Sequence, residues 1–414
     1  MNTPTPSRNG PLAGIVVLDT SSVLFGPYAT LLLGEMGADV IKLEGFEGDN
    51  TRHIGPARTP GMAGVFLNLN RNKRSIAVDL KRDEGRRIAL ELARSADIFV
   101  TNIRRKAVAR LGLGYEAVAA ENPGIIYCNA VGYGRGGPYE DYPAFDDTVQ
   151  AISGLASLQS AFAGKPEYVA MAVADKVSGI MLALGIVTAL RHRDVTGIGQ
   201  RVEVPMFETM VSFNLVEHLY GRSFVPPLGP ATYPRVVSKF RRPYKTLDGY
   251  VAIVPYNDGQ WLRFFSLVGQ PELARDERFA TMAGRTKNID ALYEILAAQV
   301  AGRSTATWLA SMREQDIPAV PVKSCDELID DPHLVARGFF RESLHPSEGR
   351  LLSVEPAIGL SASPLGMTRP APRLGEHTVE VLTAIGYDTE RIDALLSDDV
   401  VRLAPDAPPG ESDD

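Results

Sequence analysis

Four short apolar runs recur through the first hundred residues: "GIVVLD" (14 to 19), "ADVIKLE" (38 to 44), "SIAVDL" (75 to 80) and "DIFVTN" (97 to 102). Each is rich in β-branched side chains and none keeps a polar face for water, so each reads as a strand buried on both sides. Strands of that kind need a parallel sheet with helices packed on both faces. Pro27 can open a helix that runs to Met36, and Gly37 closes it, which makes residues 14 to 44 a βαβ unit. A helix near Asp83 to Arg94 and a further strand, "GIIYCNAVG" (124 to 132), continue the alternation. The pattern predicts an α/β, Rossmann-like domain.

The stretch "AMAVADKVSGIMLALGIVTAL" (170 to 190) holds one acid, Asp175, ahead of a run without charge from Val177 to Leu190. It reads as a helix to about Arg191, followed by a turn and strand in "TGIGQRVEVPM" (196 to 206). The proline-rich "FVPPLGPATYPRV" (224 to 236) suits a connector and not the interior of an element. Beyond it, "RPYKTLDGYVAIVPY" predicts two strands joined at Asp248 and Gly249, with helices near 258 to 269 and 289 to 313. At 414 residues the chain is too long for one core. The expected plan is a flexible leader (1–13), a large domain (14–223), a linker (224–240) and a smaller α+β domain (241–335). A return segment with a late helical stretch at 374 to 396 follows (336–403), and then a disordered tail (404–414).

Composition removes several function classes. A net charge of -7 opposes a general nucleic-acid binder, whose basic surface should show in the totals. Only Cys128 and Cys325 are present, so no disulfide framework or cysteine metal site is expected, and a reducing, cytoplasmic location fits. The six histidines include no HxH or HExxH spacing, and no metal site is expected. The opening residues lack an apolar signal core, and the run Ile180 to Leu190 is shorter than the roughly 20 residues that span a bilayer, so neither export nor a membrane span is expected. The glycine-rich "GYGRGGP" (132 to 138) has neither GxGxxG nor P-loop spacing and reads as a strand-end loop. The basic "RNKR" (71 to 74) can meet phosphate or face water, water being the commoner outcome.

Eight segments stand in an order and spacing that resembles one family. They are "PLAGIVVLDTSSVLFGPYATLLLGEMGADVIKLE", "NRNKRSIAVDLK", "ADIFVTN", "RLGLGYE", "NPGIIYCNAVGYGRGGPY", "TGIGQRVEV", "PYKTLDGYVAI" and "LGEHTVEVL". The family is the class III CoA-transferases, which takes in formyl-CoA and carnitine CoA-transferases and α-methylacyl-CoA racemases. The resemblance implies a large domain completed by the C-terminal segment, a small domain inserted between, and a homodimer of two interlocked ring-like chains.

Spacing alone reads Asp175 as a helix N-cap on the Val177 or Ser178 N–H; the resemblance implies a nucleophile. In the transferases an aspartate at this position attacks the thioester carbonyl of an acyl-CoA, giving an acyl-aspartyl anhydride and CoA thiolate. The thiolate then forms an aspartyl-CoA thioester, from which an acceptor carboxylate leaves with the CoA. A carboxylate is a weak nucleophile near neutral pH, so the site must strip water from it and stabilise the oxyanion. The alternative is an acyl-CoA racemase, which moves an α-proton between two groups on opposite faces of the carbon. In racemases the second group is a histidine about thirty residues upstream, directly before an aspartate; here that position is Phe145, before Asp146. Asp146 is expected to orient or tune Asp175, or else to be a loop acid or helix cap ahead of "TVQAISGL". A third reading is an acyl-CoA binder without turnover.

For CoA, the resemblance implies Val23, Leu24, Lys81, Asn102, Ile103, Arg110 and Met206 as contacts, with acyl-CoA as substrate and no resident cofactor. Read without it, Lys81 and Arg110 are surface charges, Val23 and Met206 are packing, and Asn102 is a turn former. Several formyl-CoA transferase features are absent: Ser22 and Leu24 replace a histidine and a glutamine, Gly45 and Pro143 replace basic residues, and no glycine-only loop is found. Those departures point away from oxalate and formate and toward another acid pair, with a dicarboxylic acid such as succinate or a methyl-branched relative preferred. Arg52, Arg71 and Arg104 are candidates to grip a second carboxylate or to face solvent.

Overall fold

The structure is a computed structural model and describes residues 10–405; the first nine residues of the leader and residues 406–414 of the expected tail lie outside the described residues. The chain divides into two compact units. One combines residues up to Val149 with Ala172–Met210 and Pro332 onward, and the other combines Gln150–Met171 with Val211–Asp331.

The first unit is built on a seven-stranded sheet. Its parallel strands are β1 (Val16–Asp19), β2 (Asp39–Glu44), β3 (Lys73–Val78), β4 (Ile98–Thr101), β5 (Ile126–Val131) and β6 (Gln200–Pro205). They lie in the order β3-β2-β1-β4-β5-β6, and Val401–Arg402 adds an antiparallel edge beside β3. Leu18 of β1 stands in register with Ile41 of β2 and Phe99 of β4, all buried. The helix Asp83–Ser95 covers the sheet with Ile88, Ala89, Leu92 and Ala93 and leaves its arginines and glutamates at the rim, the 3.6-residue pattern that marks an amphipathic helix. Of these, Ile88 and Leu92 each contribute on the order of 1.5–3 kcal/mol.

The C-terminal segment belongs to this unit. It carries an antiparallel hairpin, Phe340–His345 with Gly349–Val354, whose polar strands gave no signal in the sequence. The single late helical stretch expected at 374 to 396 is two helices, Thr378–Ala384 and Thr389–Ser397. Between them Gly386 takes φ +93°, a conformation that ends a helix cheaply only at glycine.

The second unit packs helices Asp258–Leu267, Ile289–Val300 and Thr305–Glu314 against a three-stranded antiparallel sheet of Tyr244–Lys245, Tyr250–Ile253 and Ala319–Pro321. Trp261, Phe264, Phe265, Phe279 and Trp308 form its core. The helix expected over 289 to 313 is interrupted, because Ser304 starts a new helix by accepting the Thr307 N–H. The proline-rich stretch 224–236, expected as the crossing linker, lies inside this unit instead. The crossing from the first unit into this one at Met210 falls within the helix Met206–His218, where no loop signals it in the sequence, and the return falls at Pro332.

The helix that contains Asp175 runs from Val173 to Thr196, longer at both ends than expected. Its 24 residues, with a mean hydropathy of 1.7 over the most apolar window, are long and apolar enough to cross a membrane by length and composition alone. Leu182, Ala183, Ile186 and Leu190 on one side of it are buried within the unit, as in the core helix of a globular fold.

Candidate active site

In a parallel sheet, connections leave in opposite directions on either side of the strand where the order reverses, and a crevice opens there at the carboxyl ends. In this chain the reversal lies between β1 and β4. A cavity of about 640 Å³ occupies that place, walled by the loops after β1 (Ser22, Val23), after β4 (Asn102 to Arg110), and at the end of β5 (Val131, Gly132). Asp175 and Met206 complete it.

Asp175 is the third residue of its helix, not the cap ahead of it; Ala172 occupies that place. The capping geometry is therefore not met, and the carboxylate is only 9% exposed on the cavity wall. Its own backbone N–H donates to Asp146 Oδ1 at 2.9 Å. Burial first, then the carboxylates of Asp146 and Asp147, push the Asp175 carboxyl up to about 7. It therefore holds a proton far more readily near neutral pH than an exposed aspartate does. Asp146 begins the helix Asp146–Ile152 and is itself buried. Phe145, 69% exposed, lines the cavity where a racemase carries its histidine, and no histidine lines it among the described residues.

The loop after β1 rests on a floor of buried charge. Asp19, at the end of β1, accepts from the hydroxyls of Ser21 and Thr30 and pairs with Lys73 at 3.1 Å. Lys42 pairs with Asp49 at 2.9 Å, and Glu44 takes both nitrogens of a fork from Arg52, whose guanidinium lies 3.7 Å over the Phe66 ring. Burial alone would raise the Asp19 carboxyl, but Lys73 and Lys42 outweigh it and hold it down at about 2. Gly26 is required at the start of the next helix, because a Cβ there would lie 2.2 Å from Ser21 Oγ.

Several sequence expectations change. The "RNKR" cluster is turned into the fold: Arg71 pairs with Glu35, Lys73 with Asp19, and Arg74 with Asp39 and Glu380, and all three cations are buried. Arg52 and Arg71 are thereby spent on buried carboxylates and cannot grip a substrate, whereas Arg104 lines the cavity. Val23, Asn102, Ile103, Arg110 and Met206 are brought together there. Lys81 is not; it lines a separate concavity with Arg82, Arg87 and Arg391. Leu24 sits at the head of the helix Phe25–Glu35, where its carbonyl accepts from Tyr28, and is not part of the cavity wall. Asn102, expected as a turn former or ligand contact, clasps Ser22, donating to its carbonyl at 2.7 Å and accepting its N–H at 3.1 Å.

Sequence reasoning missed Arg105, Lys106 and Tyr142 on the same wall. The signal was present in "NIRRKAVAR", a basic run that leaves the carboxyl end of a strand. Arg105 is held by Glu140 and Glu203, and Lys106 by Asp141. Arg104 and Arg110 have no carboxylate partner among the described residues, which leaves two cations to meet an anionic ligand.

Comparison with known proteins identifies the family. The model of CoA-transferase family III matches residues 12–378. A succinate–glutarate CoA-transferase of Agrobacterium fabrum is 35% identical over 400 residues, covering 92% of this chain and 98% of its own. A succinyl-CoA:mesaconate CoA-transferase of Haloarcula hispanica is 31% identical, over 93% of this chain and 99% of its own. Among solved structures, a CAIB/BAIF family protein from Brucella suis superposes with a TM-score of 0.77 at 30% identity, over 91% of this chain and all of that one. The chain belongs to CoA-transferase family III and is an enzyme of CoA transfer.

Proposed function

We propose that this enzyme moves CoA from a dicarboxylic acyl-CoA such as succinyl-CoA to a second dicarboxylic acid, with Asp175 carrying first the acyl group and then the CoA. The observation that carries the reading is a buried carboxylate, poised near neutrality, on the wall of a cavity at the switch point of the sheet. Burial there deprives the attacking oxygen of water and leaves it more reactive than in solution. The Asp175 carboxylate adds to the thioester carbonyl, the C–S bond breaks, and an anhydride and a thiolate result. The thiolate adds to the aspartyl carbonyl and expels the donor acid, leaving aspartyl-CoA. The acceptor carboxylate repeats the first step on that thioester, and the released thiolate takes the acceptor's acyl carbon, which regenerates Asp175. Every step exchanges one carboxyl derivative for another, so no oxidant or net proton is needed.

The dicarboxylate assignment rests on the relatives' substrates and on Arg104 and Arg110, which can face CoA phosphates or a distal carboxylate. Racemisation is the weaker reading because Phe145 carries no exchangeable proton. Incubation with succinyl-CoA and hydroxylamine should convert Asp175 to a hydroxamate, and Asp175→Asn should lose transfer by at least ~10³-fold. Exchange of the α-proton with deuterated solvent, without trapping, would replace this reading with racemisation.

We also propose that the enzyme works as a homodimer in the cytoplasm. Ile180, Met181, Leu184 and Val187 leave an apolar face on the Asp175 helix, and β6 is an edge strand beside it. A second copy of the chain would cover both, and a monomer by sedimentation at micromolar concentration would sink that assignment. Both cysteines are free thiols, which suits a reducing compartment.

A further inference from the structure

We propose that Asp49, held by Lys42, is a positioning residue for the acyl-CoA cavity: its carboxylate keeps Val23 in a left-handed conformation that the valine would abandon without it. The functional part of this inference rests on the reading of the cavity as an acyl-CoA site.

Val23 lines the cavity and has φ +69°, a backbone conformation that β-branched residues rarely adopt. Strain of this kind persists only where the surroundings over-determine it, and it collects at ligand sites. The Val23 N–H donates to both oxygens of Asp49, at 3.1 and 3.2 Å. Asp49 is buried and fixed in turn. Its carboxylate accepts from Lys42 Nζ at 2.9 Å and from the Thr51 N–H and hydroxyl at 2.9 and 2.8 Å, and its own N–H donates to Glu44 Oε1 at 2.9 Å.

The residues on either side of Val23 are treated alike. Lys42 Nζ donates to the Ser21 carbonyl at 2.9 Å, and Asn102 holds the Ser22 carbonyl and N–H. Three successive residues, Ser21, Ser22 and Val23, thus have their backbone held by four different side chains, from Asp19, Lys42, Asn102 and Asp49. A ligand site gains from such a loop, because a wall ordered before binding spares the ligand the cost of ordering it.

The inference separates from a merely structural role through the identity of residue 23. Glycine reaches positive φ without strain, so the carboxylate should matter less once Val23 is replaced. In the full-length enzyme, Asp49→Ala is expected to raise the KM for succinyl-CoA about tenfold with a smaller change in kcat, and only about threefold or less in the Val23→Gly background. An equal rise in both backgrounds overturns the inference.

Thermal midpoints measured without ligand supply the second readout. Loss of the carboxylate should lower the midpoint less in the Val23→Gly background than in the parent, and an equal fall overturns the clamp. Where Asp49→Ala does not fold, Asp49→Asn takes its place in both comparisons, since its one oxygen cannot serve Val23, Thr51 and Lys42 together. If the parent enzyme does not turn over succinyl-CoA at all, the proposed substrate falls while the thermal coupling still decides the clamp.

Discussion

The first unit buries two sets of acids in opposite electrostatic company. Asp19, Glu44 and Asp49 each face a cation, from Lys73, Arg52 and Lys42 respectively. Burial works to raise all three carboxyls, but the cations outweigh it and hold them below the usual carboxylate range. Asp175 is buried among its own kind, so burial and the nearby Asp146 and Asp147 act in the same direction and lift it to about 7. The two sets share a carboxyl side chain and low exposure, and the sign of the neighbour separates them. A carboxylate locked as an anion against a lysine is structure; one that can change its charge near neutrality is available for chemistry.

The comparison is broken most strongly on its paired side. Lys73→Met leaves the wholly buried Asp19 without its closest cation and should cost roughly 3–5 kcal/mol, whereas replacing both partners should recover much of that loss. Urea unfolding of Lys73→Met and of Lys73→Met with Asp19→Asn reads both quantities. A single-variant loss under about 1 kcal/mol would mean that the pair behaves like an exposed one.

The unpaired side should respond with the opposite sign. Asp175 is normal at 3.8 when unfolded and raised to about 7 when folded. Between those values the native state keeps a proton that the unfolded state has lost, so stability falls as pH rises through that window and the deficit is complete above it. Asp175→Asn removes the deficit and should stabilise the fold by about 4 kcal/mol at pH 8, with little effect near pH 3. A variant no more stable than the parent at pH 8 would show that the carboxylate is not under electrostatic stress.

How far the sequence revealed these two sets follows from the range of the interactions. The strands were legible because their apolar runs are local, and Asp175 stood out as a lone acid at the head of an apolar helix. Its setting among carboxylates was not legible, since Asp146 lies 29 residues away. The same holds for the floor: Lys73 meets Asp19 across 54 residues and Arg71 meets Glu35 across 36, so a basic tetrad that looks solvated is buried once β3 begins at Lys73. The cap reading of Asp175 failed for a local reason, because the helix starts two residues before it. The crossing between the units at Met210 was hidden because it falls within a helix that holds no proline or glycine.

The smallest effect tests the cause of the Asp175 shift and not its existence. Asp146 does two things to Asp175: its Oδ1 accepts the Asp175 N–H, and its charge opposes ionisation. Asp146→Asn keeps an oxygen for the first and removes the second, so the backbone should stay in place while the carboxyl becomes easier to ionise. Because transfer needs the ionised form, activity in the parent should climb as pH rises through about 7 and level off above it. In Asp146→Asn that limb should move to lower pH by roughly one unit, equivalent to about 1.4 kcal/mol. Asp147→Asn should move it less, since Asp147 is exposed and its field is screened by water. The pH dependence of kcat/KM for all three proteins measures the difference. No shift in either variant would mean that burial alone, without the neighbouring acids, sets the charge state of the nucleophile.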